Sequence, residues 1–185
     1  MSRVGKAQRT RDRLVLAAVE LCAGEGFENV SVGRIAQAAG VTEMTFYRNF
    51  PTKESVVLDD PFDPMIADAV AAQPRSLPAL AAVAAGLRHA WAGVDDRAAE
   101  TVRDRLRVIA ASHRLRAAMP QSTAATAQAI ADALRSRGVT DVDAEIAAAA
   151  TIAALTAALL EWAQLDDQPL GDAVERALGI LDGAR

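Results

Sequence analysis

Aromatic residues make up only 4% of this sequence, and cysteine is nearly absent. Cys22 is the single cysteine, so no intrachain disulfide can form and nothing points to an oxidising compartment. The two histidines, His89 and His113, lie 24 residues apart, and neither has a Cys, Asp or Glu at metal-ligand spacing. There is no glycine-rich nucleotide motif and no nucleophile beside a plausible base. These absences predict no metal, no cofactor and no catalysis. The longest uncharged apolar run, Ile146 to Leu160, has 15 residues and is mostly alanine. A membrane span wants about 20 residues of stronger hydrophobicity, so a buried helix is expected there. The opening MSRVGKAQRTRDR lacks the apolar core of a signal peptide. The expectation is a cytoplasmic protein with no membrane partner.

What is abundant is alanine. Hydrophobic residues form 51% of the 185 positions, enough for one or two domains with real cores. No strand-like alternation runs for more than a few residues, so the fold class is all-α. The net charge of −4 hides an asymmetry. Residues 1–53 carry +3 and residues 54–185 carry −7. A basic head on an acidic body suggests an anionic partner for the head, although a mobile basic tail would give the same pattern.

Thr10 can cap a first helix with Asp12 in its first turn, and Leu14, Ala18, Leu21 and Cys22 give residues 11–23 one apolar face. Gly24 and Gly26 end it. Ser31 suits the cap of a second helix over 32–39, and Gly40 suits a left-handed turn. Thr42 then caps a short third helix with Phe46 facing inward and Phe50 closing the core below. Two short helices joined by a glycine turn behind a supporting helix give helix-turn-helix geometry. A plain helical hairpin with a solvated face fits the same pattern. Glu43, Met44 and Tyr47 fall on the outer side, with Thr42 and Thr45 at its margin. Such groups can reach phosphates and base edges: a carboxylate accepts from cytosine N4, and a thioether touches a thymine methyl, while Glu43 could equally just favour its own helix N-terminus. Helix four should run from Thr52 to about Asp60, break at Pro61, and restart with Asp63 capping Pro64. The body reads as helices near 77–92, 96–112, 114–137, 142–165 and 170–182, punctuated by Gly93, Gly138 and Pro169.

Residues 10–60 resemble the N-terminal domain of tetracycline-repressor-like (TetR-family) transcriptional regulators. TRDRLVLAAVELCAGEGF is similar to that family's first helix, SVGRIAQAAGVTEMTFYRNF to its helix-turn-helix, and PTKESVVL to the start of its fourth helix. The resemblance implies an N-terminal three-helix DNA-binding domain, placed at 1–53, and a C-terminal helical effector-binding and dimerisation domain at 54–185. It implies that Thr45, Tyr47 and Lys53 bind DNA phosphates. Ser31, Arg34, Thr42, Glu43, Met44 and Arg48 complete the expected double-stranded DNA surface. Two positions depart from the family. Cys22 stands where an aromatic is usual, and Gly33 stands where many members carry a DNA contact, which leaves Arg34 as the contributor.

Leu155, Leu159 and Trp162 form one stripe at helical spacing, and Val174, Leu178 and Leu181 form another. Either could be monomer core; in the family these two helices pair with their copies, so a homodimer interface is expected. The interior of helices 77–137 offers mainly apolar side chains, which points to a small apolar effector near Trp91 and Met119. Arg103 and Arg107 could bind an acidic effector or pair with nearby acids such as Asp104. The reading is a repressor that binds a palindromic operator as a dimer and is released by that effector. An architectural DNA-binding protein without effector, or an enzyme with a DNA-binding head, are the alternatives.

Overall fold

The chain begins its first helix well before Thr10. The computed structural model describes residues 3–59, 63–92 and 94–182, the side chains of residues 3, 4, 6, 63 and 64 excepted. Helix α1 spans Arg3–Glu25, so Thr10 lies inside it rather than capping it. Lys, Ala, Gln and Arg in this stretch all favour helix, and nothing stronger than Gly5 interrupts them. Asp12 accepts from Gln8 one turn earlier at 2.8 Å. The expected apolar face is buried through Leu14, Ala18 and Cys22, with Ala17 and Val19 beside them. Gly26, at a positive φ of 83° open to glycine, turns the chain into a 3-10 helix, Phe27–Asn29, that buries Phe27.

Helix α2, Val32–Ala38, is capped by Ser31, whose Oγ accepts from the Arg34 amide. Gly40 takes φ 65°, and Val41 N donates back to Ala36 O at 2.9 Å, closing the helix end. Helix α3, Glu43–Asn49, is capped by Thr42 accepting from the Thr45 amide. Phe46 and Phe50 are both 0% exposed, with ring centroids 5.9 Å apart. These two rings anchor α3. Helix α4 is only four residues, Ser55–Leu58, and follows a turn in which the Thr52 and Ser55 side chains accept from one another's backbone amides. It is shorter than expected at both ends.

The helices that follow are α5 (Asp63–Ala71), α6 (Ala79–Trp91), α7 (Asp96–Ala111), α8 (His113–Ser136), α9 (Asp141–Trp162) and α10 (Leu170–Leu181). The breaks expected at Pro61 and Gly93, and the capping roles of the Asp63 and Pro64 side chains, lie outside the described residues. The fold is all-α. It divides into two units: Met1–Asp59 with Asp104–Met119, and Asp60–Arg103 with Pro120–Arg185. A boundary at 53/54 therefore falls inside the first unit, which draws on both α7 and α8.

In the first unit, Arg105 donates to Asp59 O at 2.9 Å, and Arg114 pairs with Glu54. Arg11 donates to Asn49 O at 2.6 Å and also pairs with Asp59. In the second unit, Val70, Val83, Leu87, Ile130, Leu134, Leu155, Val174 and Leu178 form the core among many alanines. Small residues let α5 and α6 come close: a Cβ on Gly86 would stand 2.8 Å from Val70 backbone atoms. Buried Arg137 donates to Pro74 O at 2.7 Å and also to Gln73 O, satisfying carbonyls just beyond α5.

Candidate nucleic-acid interface

The outer side of α3 carries the predicted groups. Met44 is 82% exposed and Tyr47 53% exposed, while Phe46 beneath them is fully buried. Tyr47 meets the Phe46 ring edge-on, with centroids 5.5 Å apart, which fixes the tyrosine without covering it. The Thr42 and Thr45 hydroxyls lie 3.1 Å from one another at the margin of that face. Arg48 is exposed on the same short helix. Ser31 and Thr42 are occupied as caps, yet both remain exposed; the Ser31 hydroxyl proton is accessible, while the Thr42 hydroxyl shares a further hydrogen bond with Thr45.

Two predicted basic residues are already engaged. Arg34 forms a two-pronged pair with Glu25, one contact at 2.8 Å, and this bond holds the Glu25 carboxyl below its usual range. Lys53 donates to Phe27 O, and its ammonium lies 4.1 Å from the centre of the Phe27 ring. The lysine is thus pinned against the 3-10 helix and only partly exposed. Arg9 and Arg13 are a basic pair that the sequence reading does not assign to the DNA surface, since it starts the first helix at Thr10 and leaves Arg9 ahead of it. They lie one turn apart on α1, both exposed, and the Arg13 guanidinium sits beside Gly40 at the helix-turn-helix turn. Their four-residue spacing was the signal that could have placed them.

The residues expected elsewhere are distributed as follows. Trp91 is half-buried on α6 in the second unit, and Met119 is half-buried on α8 in the first. Leu155, Trp162, Val174 and Leu178 are buried inside their own chain, so their side chains are already covered. Trp162 donates Nε1 to Gln168 O at 2.7 Å, and the Arg103 guanidinium covers its ring at 4.4 Å. Arg103 also donates to the Asp166 and Gln168 carbonyls, and Arg107 pairs with Asp104 at 3.8 Å. Leu159 and Leu181 are half-buried. The side of α9 left exposed carries Val142, Ile146, Ala149, Ala153 and Ala157 at helical spacing. Helix α9 is long and apolar enough to cross a membrane by length and composition, with mean hydropathy 1.6.

Comparison with known proteins decides between a helical hairpin and a regulator. Residues 14–59 match the family described as bacterial regulatory proteins, tetR family, and residues 77–184 match the MftR C-terminal domain. The chain belongs to the tetR family. Its head is 45% identical over 53 residues to the HTH-type transcriptional regulator TcmR of Streptomyces glaucescens. That match covers 29% of this chain and only 24% of the relative's length. The fold is similar to that of NalD, the secondary repressor of a multidrug efflux pump in Pseudomonas aeruginosa, at TM-score 0.58 and 22% identity, covering 97% of each chain. It is also similar to Thermus thermophilus FadR, a repressor solved with lauroyl-CoA, at TM-score 0.53 and 24% identity over 94% of each chain. As a tetR-family member this chain is a DNA-binding transcriptional regulator, not an enzyme. Its α2–turn–α3 segment is the helix-turn-helix.

Proposed function

We propose that this chain is a repressor that binds a palindromic operator as a homodimer in the cytoplasm. In this reading a small, mainly apolar effector releases it. The observation that carries the DNA contact is the rigid presentation of Met44, Thr45, Tyr47 and Arg48 over two fully buried phenylalanines. Groups held this way lose little freedom on docking, which favours base-edge and phosphate contacts. We assign DNA binding chiefly to residues 1–53, and effector binding and dimerisation to 54–185. The uncovered apolar side of α9 supports the dimer, since two heads are needed for two half-sites one helical turn apart. The effector class is supported by the apolar, alanine-rich second unit and by the lauroyl-CoA complex of the structurally similar repressor.

The test begins with selection of bound sequences from random duplex DNA, which should enrich a two-fold symmetric motif. Apolar metabolites and acyl thioesters are then screened by thermal shift and by the fluorescence of the two tryptophans, Trp91 and Trp162. Operator affinity is measured with each hit. A true effector should weaken operator binding at least about tenfold, equivalent to about 1.4 kcal/mol of coupling. Ligands that raise the melting temperature but leave operator affinity unchanged would overturn release by effector and leave a regulator governed by DNA alone.

A further inference from the structure

We infer that Glu43, positioned by Gly33, is the specificity-determining acceptor of this helix-turn-helix and takes a hydrogen bond from an exocyclic amino group in the major groove. The inference rests on the operator-binding reading and names what part of the operator one side chain reads. Glu43 is the first residue of α3 and is exposed. Its carboxylate extends across to α2, where a Cβ built on Gly33 would stand 2.5 Å from Oε1. The carboxylate therefore occupies the space that any side chain at position 33 would fill. Glycine at 33 and glutamate at 43 form one arrangement.

Among the described residues no side chain forms a hydrogen bond or ion pair with this carboxylate. The nearest cation in sequence to Gly33 is Arg34, and it pairs with Glu25 instead. An unneutralised carboxylate on a surface that faces a polyanion weakens binding unless it meets a donor. Phosphates and sugar oxygens offer none at close range. In the major groove the donors are the N4 amino group of cytosine and the N6 amino group of adenine. Glu43 consequently adds discrimination rather than affinity: it favours base pairs that present an amine at its position and repels the acceptor edges of guanine and thymine.

The experiment is selection from random duplex DNA with the full chain and three variants: Glu43→Ala, Glu43→Gln and Gly33→Ala. The unsubstituted chain should prefer one base pair in one orientation at a position of each half-site that depends on Glu43, and the pair identifies the amine, since G·C offers only cytosine N4 and A·T only adenine N6. Glu43→Ala should flatten that position, losing about tenfold discrimination, and leave the other positions in place. Glu43→Gln should move the preference toward adenine, which a carboxamide pairs at both N6 and N7. Gly33→Ala should weaken the same position and no other, because its Cβ displaces the carboxylate. Thermal melts should shift only slightly for the Glu43 variants, which lose the favourable placement of an anion in the first turn of α3 and no hydrogen bond. An identical motif from Glu43→Ala would overturn the assignment while leaving operator binding intact. If the unsubstituted chain enriches no motif, operator recognition fails and this inference falls with it.

Discussion

The Ser112 hydroxyl donates to the Glu28 carboxylate across 2.6 Å, joining residues 84 positions apart in the sequence. The same oxygen accepts from the Leu115 amide at 3.2 Å, so Ser112 caps α8 while it holds the 3-10 helix beside the helix-turn-helix. Ser112 is buried, and both bonds vanish together in Ser112→Ala. The expected loss is about 1–2 kcal/mol, read from urea unfolding. The pH dependence should change as well. The Glu28 carboxyl is held below its usual range, first by the Ser112 hydroxyl and then by its own backbone amide. A depressed folded-state value contributes stability that is complete above the unfolded value of about 4.3 and is lost as pH falls through the folded one. The gap between parent and variant should therefore shrink on acidification from about pH 6 to about pH 3. A constant gap would assign the whole effect to the cap.

Lys53 leaves the surface half-tethered, donating to Phe27 O and lying against that ring. If it turns to a phosphate on docking, Lys53→Ala weakens operator and random DNA alike. The slope of log affinity against log salt should fall by about one unit. Anisotropy titrations across a salt series measure this directly. An unchanged slope would leave Lys53 as a strut for the 3-10 helix.

Gly86 and Gly24 should respond oppositely to alanine. At Gly86 a methyl group would meet Val70 Cα and N at 2.8 Å, and backbone cannot rotate aside. Gly86→Ala should cost about 1–3 kcal/mol through overpacking. At Gly24, inside α1, nothing lies within 4 Å of the added carbon. Gly24→Ala should stabilise by about 0.5–1 kcal/mol through helix propensity alone. Denaturant midpoints for the pair give both signs in one experiment.

The dimer proposal separates surface from core on the two last helices. Ala153→Arg places a charge on the uncovered side of α9 and should yield helical monomers with weakened operator binding. Leu178→Arg places one in the core and should unfold the chain, since an unpaired buried charge costs several kcal/mol. Sedimentation velocity distinguishes them. A dimer that survives Ala153→Arg would move the interface off this face.

Local features of the head were legible in the sequence because their causes are local. Ser31, Gly40 and Thr42 each act within three or four residues, and the amphipathic spacing around Phe46 needs no distant partner. The start of α1 was misread for the same reason: Thr10 is a good cap, but residues 3–9 are helix formers too, and one continuous helix won. Periodicity also located the apolar stripes of α9 and α10 without telling what covers them. Leu155, Trp162, Val174 and Leu178 turned out to be covered by their own chain. Partnerships across long separations, such as Ser112 with Glu28 or Arg103 with Trp162, left no mark in sequence at all. The engagement of Arg34 by Glu25, nine residues earlier, lay beyond any single helix and was equally hidden.

The division of the chain has a practical consequence for exchanging parts between regulators. The first unit is made of two separate stretches, Met1–Asp59 and Asp104–Met119. Ser112, Arg114 and Arg105 all belong to the second stretch, yet they satisfy Glu28, Glu54 and the Asp59 carbonyl in the first. A chimera cut once, after residue 59, would carry those three acceptors away from their donors and seat them against another protein's helices. A head transplanted from this chain needs its second stretch to travel with it, or a recipient that supplies a hydroxyl and two guanidinium groups at the same places.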